Sequence, residues 1–194
     1  MTVYEVLETE EVYSGRVISL RKDTVAMPEG GSSVREIVTH PGAVGVLALD
    51  EDGAVVMLKQ YRHAIGEHLW ELPAGLRDAD GEPPLETAKR ELAEEVGLAA
   101  ERWQLLTTSL STPGFCTEMV GLYLAEGLSP VERPEGFVVE HEELDMTVER
   151  VPFDRAVQMV FDGTVKNALA VIGILAAAAQ LAGSPTLRAV DSSF

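Results

Sequence analysis

Three carboxylates crowd the run Arg90-Glu91-Leu92-Ala93-Glu94-Glu95-Val96. On a helix of 3.6 residues per turn Glu91 and Glu95 are i,i+4 neighbours, and Glu94 lies beside them, three residues on from Glu91. Like charges at that spacing repel, and the negative end of the helix dipole repels them again, each by about 0.3 kcal/mol. Such a cluster is either a solvated acidic face or a set of hard oxygen ligands. The loop Pro73-Ala74-Gly75 can set a backbone carbonyl opposite the carboxylates. That donor set suits Mg²⁺ or Mn²⁺, which retain several waters and share phosphate oxygens with a substrate. Zinc is disfavoured, because His40, His63, His68 and His141 show no HExxH or comparable spacing. The single cysteine, Cys116, excludes an internal disulfide and a multi-cysteine zinc site, and it fits a reducing compartment.

The elements that must position these groups are legible around them. Leu85, Ala88, Leu92 and Val96 form one apolar stripe, which predicts a helix over Pro84–Val96 with its buried side fixed. Pro84 suits the first helical turn and Gly97 the C-terminal cap. Strands are expected at Val17–Leu20 with Thr24–Met27, and at Val34–Thr39. Ala43–Leu49 and Ala54–Tyr61 read as a hairpin through Asp50-Glu51-Asp52-Gly53, and further strands fall at Trp103–Ser109, Met119–Ala125 and Met146–Val151. Two more helices are expected at Phe153–Phe161 and Asn167–Leu181. The mixture predicts a mixed sheet covered by helices, in the α/β or α+β class. Residues 1–40 read as a small N-terminal β-unit with little core of its own, residues 41–182 as the main domain and residues 183–194 as a loose tail.

Length and charge bound the rest. With 194 residues, one main domain is expected. The net charge of −17 argues against nucleic acid, whose phosphates draw basic side chains, and against anionic membranes. A hydrophobic fraction of 46% with 24% charged residues is that of a globular protein with a sizeable core. The opening MTVYEVLETEEVYSG lacks the basic start and apolar run of a secretory signal, and Ala168–Ala179 is too short to span a bilayer. A cytoplasmic protein is expected.

The segment Gly75…Glu82…Arg90-Glu91-Leu92-Ala93-Glu94-Glu95-Val96-Gly97-Leu98 resembles the box of the Nudix hydrolase family, G-x5-E-x7-R-E-U-x-E-E-x-G-U with U apolar. Six residues, where the pattern has five, separate Gly75 from Glu82. The resemblance implies a Nudix-type α/β/α sandwich over roughly residues 41–181 and hydrolysis of a nucleoside diphosphate derivative with two or three divalent ions, Mg²⁺ or Mn²⁺. Glu91 and Glu95 match the main metal-ligand glutamates, Glu94 is a further candidate, and Ala74 matches the position whose carbonyl completes the site. Arg90 matches the arginine that orients the catalytic glutamates, and Glu82 one that supports helix and loop.

Trp70-Glu71-Leu72-Pro73-Ala74-Gly75, following Gln60-Tyr61-Arg62-His63, resembles the ADP-ribose pyrophosphatase branch. That branch implies a homodimer whose N-terminal unit reaches the partner's substrate, and a general base in a late acidic loop. Here that loop is Glu140-His141-Glu142-Glu143-Leu144-Asp145, with Glu143 favoured as the base over Glu142. Arg62 is the candidate for the substrate phosphates, Arg35 and Glu36 for the adenine, and Trp70 and Glu71 for further substrate contact. On its residues alone, Trp70 is most simply a core or interface aromatic. The implied products are AMP and ribose 5-phosphate. Another nucleotide sugar, NADH, or a non-catalytic nucleotide sensor are the alternatives.

Overall fold

The computed structural model describes residues 4–133, 146–183 and 187–191. The chain divides into two compact units, one of Met1–Gly42 with Leu110–Met119, the other of Ala43–Ser109 with Val120–Phe194.

In the first unit, β1 (Val6–Ser14), β2 (Ser19–Ala26) and β3 (Ser32–Thr39) form an antiparallel sheet in that order. Every residue of β1 is exposed. Asp23, on β2, is almost fully buried, and its carboxylate accepts from Thr9 Oγ1 at 2.9 Å and Arg21 Nε at 3.1 Å. A polar cross-strand network thus carries part of the job a larger core would do.

In the second unit, β4 (Ala43–Ala48) runs parallel to β9 (Met119–Pro130) and antiparallel to β7 (Ala74–Leu76). With β8 (Leu98–Leu110) they form a mixed sheet ordered β7-β4-β9-β8. A second sheet is ordered β10-β5-β6, from β10 (Thr147–Pro152), β5 (Ala54–Arg62) and β6 (Glu67–Glu71). The helices are α1 (Pro84–Val96), α2 (Phe153–Phe161) and α3 (Ala168–Leu181).

The two-residue period of β4 and β9 explains the layering. Val44, Val46, Ala48, Tyr123 and Ala125 face Ala88 and Leu92 of α1. Leu47, Leu122 and Leu124 point the other way, into a core with Ala156 and Met159 of α2 and Ala170, Ile174 and Ala177 of α3. Helices therefore cover both faces of a mixed sheet, which is the α/β/α sandwich expected from sequence. Full burial of a residue such as Leu92 contributes about 2 kcal/mol toward holding α1 in place.

Three local features differ from the sequence reading. β4 and β5 meet at a tight turn, where Asp50 Oδ1 accepts from the Asp52 and Ala54 amides, but they pair only at Leu49–Val55 before diverging into different sheets. β1, β6 and β7 were not expected as strands. Part of the expected loose tail packs: Leu187 and Val190 contact the two cores, and Arg188 bridges to Leu105. Their apolar side chains gain more by covering the sheet than by staying in water. No helix among the described residues is long and apolar enough to cross a membrane.

Candidate active site

Helix α1 begins at Pro84, preceded by Pro83 as N-cap, and ends on Gly97 in the left-handed conformation, φ 65°. The Gly97 amide donates to Ala93 O at 3.0 Å, closing the last turn. Burial of Ala88 and Leu92 sets the roll of the helix, and that roll brings Glu91 and Glu95 against β7, while Glu94 pairs with Arg90 along the helix. Glu95 is buried, and its Oε2 accepts from the Ala74 amide at 2.9 Å, placing it directly beside the β7 backbone. Ala74 in turn pairs with Gly45 of β4. Glu91 fills the space over Gly75, where a Cβ would run into its side-chain carbons and carboxylate.

Arg90 ties the cluster together. Its Nη1 lies 2.7 Å from Glu91 Oε1 and 2.9 Å from Glu94 Oε2, while Nε and Nη2 face the Glu82 carboxylate at 3.4 Å. The three carboxylates hold the guanidinium even more firmly protonated than usual, although its partial burial works the other way. Burial pushes the Glu91 carboxyl up to about 7; Arg90 opposes the rise, while Glu94 and Asp78 add to it. Burial also acts upward on Glu82, but hydrogen bonds from Thr87 and Arg90 outweigh it and hold that carboxyl below its ordinary range.

Among the described residues, no three His, Cys, Asp or Glu side chains converge on a single ion position. Glu91 and Glu94 close on Arg90, and Glu95 closes on the Ala74 amide. The donor chemistry nonetheless fits a hard divalent cation. Glu91 is a largely but not fully buried carboxylate whose ionised form is disfavoured by its surroundings, which a cation beside it would reverse. Glycine at position 75 leaves the room its carboxylate needs.

The substrate candidates lie on elements of both units. Arg62 lies at the end of β5 and makes a bidentate pair with Glu71, Nε to Oε1 at 2.8 Å and Nη2 to Oε2 at 2.6 Å. Glu71 is almost fully buried, so this is a charge-assisted pair with one partner out of solvent. Trp70 is half-buried against the core of the second unit, with Lys59 Nζ 5.7 Å from its ring centroid. Within the first unit, Arg35 and Glu36 line a groove of about 630 Å³ with Leu20, Val34, Val38, Gly114 and Phe115. Arg35 donates to Ser33 Oγ and to Val34 O. Glu142 and Glu143 lie outside the described residues.

The structure adds residues that sequence reasoning missed. Thr87 is completely buried and donates to Glu82 Oε2 at 2.8 Å. Arg133 Nη2 donates to the Glu95 carbonyl at 3.1 Å, supplying a cation at the end of a helix with no basic residue in its last turn. Asp78 acts on Glu91 through space. Only the helix-end deficit of positive charge was visible in the sequence, and nothing there pointed to a residue 38 positions further on.

Residues 39–167 match the family model of the NUDIX domain. An ADP-ribose pyrophosphatase of Mycobacterium tuberculosis is 46% identical over 191 residues, covering 98% of this chain and 91% of that protein. A methanol dehydrogenase activator of Bacillus methanolicus is 39% identical, covering 87% and 89%. An ADP-ribose pyrophosphatase of Bacillus subtilis is 45% identical, covering 63% and 66%. A solved ADP compounds hydrolase shares the fold with a TM-score of 0.81 at 22% identity, over 94% of this chain and 96% of its own. With the carboxylate helix, the glycine beneath Glu91 and the two-faced sheet all in place, the chain belongs to the Nudix family.

Proposed function

We propose that this protein hydrolyses the pyrophosphate bond of ADP-ribose to AMP and ribose 5-phosphate, with two or three divalent ions, Mg²⁺ or Mn²⁺, as cofactor. The observation that carries the reading is the carboxylate cluster of α1, in which Arg90 ties Glu91 and Glu94, Glu91 lies over Gly75, and buried Glu95 accepts from the Ala74 amide. Relatives named ADP-ribose pyrophosphatase at 46% and 45% identity support the choice of substrate.

Glu91, Glu94, Glu95 and the Ala74 carbonyl would hold the ions. When bound, the ions polarise phosphoryl oxygens and offset the field of a −17 protein that would otherwise repel a diphosphate. Arg90 keeps the glutamates in register by engaging Glu82 on one edge and Glu91 and Glu94 on another. Water attacks one pyrophosphate phosphorus, the bridging P–O bond breaks, and Glu143, with Glu142 as the alternative, takes the water's proton. Arg62, whose guanidinium is aimed by its pair with Glu71, meets the substrate phosphates. Trp70 and Glu71 add further substrate contact, while Arg35 and Glu36 of one subunit meet the adenine of the substrate bound by its partner.

We further assign a homodimer. Its support is β1, exposed along all nine residues, together with the exposed apolar side chains of Tyr4, Val6, Leu7, Val12 and Tyr13, which a second copy would cover. The single, half-buried Cys116 and a nucleotide substrate support a cytoplasmic setting. A panel of ADP-ribose, other nucleotide sugars, NADH and nucleoside triphosphates assayed with Mg²⁺ tests the reading. ADP-ribose is expected to give the highest kcat/KM; equal turnover of a nucleoside triphosphate overturns the assignment.

A further inference from the structure

Thr87 is a hydroxyl with no exposed surface, in the second turn of α1 on the side away from solvent. Burying a hydroxyl is costly unless it is hydrogen-bonded, and Thr87 Oγ1 donates to Glu82 Oε2 at 2.8 Å, with Pro83 O more distant at 3.4 Å. Among the described residues, Glu82 is the one carboxylate that Arg90 meets outside its own helix, and that contact is long, 3.4 Å at both Nε and Nη2. The opposite side of the guanidinium makes the short contacts, 2.7 Å to Glu91 and 2.9 Å to Glu94. A planar cation held tightly on one side and loosely on the other stays in place only if the loose partner is itself fixed.

We propose that Thr87 is a positioning residue of the carboxylate site: it fixes Glu82, and through Glu82 restrains Arg90 from pairing wholly with Glu91 and Glu94. Without that restraint the guanidinium competes for the oxygens that a divalent cation uses. The inference rests on the proposed role of Glu91, Glu94 and Glu95 as ligands.

Mn²⁺ binding, followed by the electron paramagnetic resonance of the free ion, tests it without relying on turnover. Thr87→Val removes the hydroxyl at nearly constant shape and is expected to weaken Mn²⁺ about tenfold, the scale of a lost outer-shell partner. Thr87→Ser keeps the hydroxyl and is expected to bind as wild type does. Glu82→Gln should weaken Mn²⁺ similarly, and the double variant Thr87→Val/Glu82→Gln should be no weaker than either single one, because both break one linkage. If Thr87→Val does not fold, Thr87→Ala carries the same expectation. Wild-type affinity in Thr87→Val, no rescue by Thr87→Ser, or multiplied effects in the double variant would overturn the proposal. A wild-type protein that takes up no Mn²⁺ would sink the ligand assignment beneath it instead, so the two failures are told apart.

Discussion

The side chain of Glu91 occupies the volume where a Cβ at Gly75 would stand, so the carboxylate on α1 keeps its place only because the β7 residue facing it has no side chain. Gly75→Ala is therefore expected to displace Glu91 and lower kcat by about 100-fold, the cost of a misplaced reacting group. Circular dichroism should remain that of the wild type, since Gly75 is only half-buried and its strand is three residues long. Unchanged kcat would show that the contact is incidental.

A second expectation concerns the metal-free protein and pH. The Glu91 carboxyl is pushed up to about 7 from an ordinary 4.5, so the folded state holds this proton more tightly than the unfolded chain. Ionising it costs stability, and the cost grows as pH rises from the unfolded value through about 7, reaching about 3 kcal/mol at most. In the presence of a chelator, Glu91→Gln should melt up to about 10 °C above wild type at pH 8 and nearly level with it near pH 5. Saturating Mg²⁺ should reverse the order, because only the wild type gains from binding. Calorimetry at the two pH values checks this; a difference in melting temperature independent of pH would refute it.

Glu95→Gln separates hydrolysis from recognition. Its amide oxygen still accepts the Ala74 N–H, so α1 and β7 should stay joined. Hydrolysis of ADP-ribose is expected to fall by about 100-fold or more as a ligand charge is lost. Titration calorimetry should still detect ADP-ribose binding. Loss of both together would point to collapse of the helix–strand contact.

The Arg62–Glu71 pair predicts a stability effect independent of turnover. Arg62→Ala leaves the buried Glu71 without its bidentate partner and should cost about 2 kcal/mol, less than for a fully buried pair because Arg62 is half exposed. Arg62→Ala/Glu71→Gln should recover part of that loss. Urea unfolding of the three proteins measures it, and a double variant less stable than Arg62→Ala would contradict the explanation.

What the sequence made legible follows from period and local chemistry. The stripe Leu85-Ala88-Leu92-Val96, Pro84 and Gly97 marked α1 at its observed bounds, because that helix has one dry face and an unambiguous stop. The helix expected at Asn167–Leu181 is α3, with Asn167 standing one residue outside it as the cap and accepting from the Ala170 amide at 3.0 Å. β1 was invisible because all its residues are exposed, so no alternation of burial is written into VLETEEVYS. The Ala43–Tyr61 hairpin was half right: the turn chemistry of Asp50 was readable, but the divergence of β4 and β5 into two sheets depends on their other neighbours.

Within the site, Glu91, Glu94 and Glu95 were legible as helical neighbours, and Arg90 through the family resemblance. Thr87–Glu82 was not, because the pair straddles the helix start, where no fixed spacing applies. Nor was Arg62–Glu71: the β5–β6 register sets Arg62 opposite Glu67, and only two long side chains lying along the hairpin bring the guanidinium to Glu71. Partnerships made by tertiary reach leave no period in the chain.

The most direct measurement is a crystal structure with Mg²⁺ and an ADP-ribose analogue whose bridging oxygen is replaced by methylene. Ions ligated by Glu91, Glu95 and the Ala74 carbonyl, in contact with the analogue's phosphonate oxygens, are the predicted result. A bound analogue with those carboxylates still closed on Arg90 and the Ala74 amide, and no ion beside them, would contradict the account.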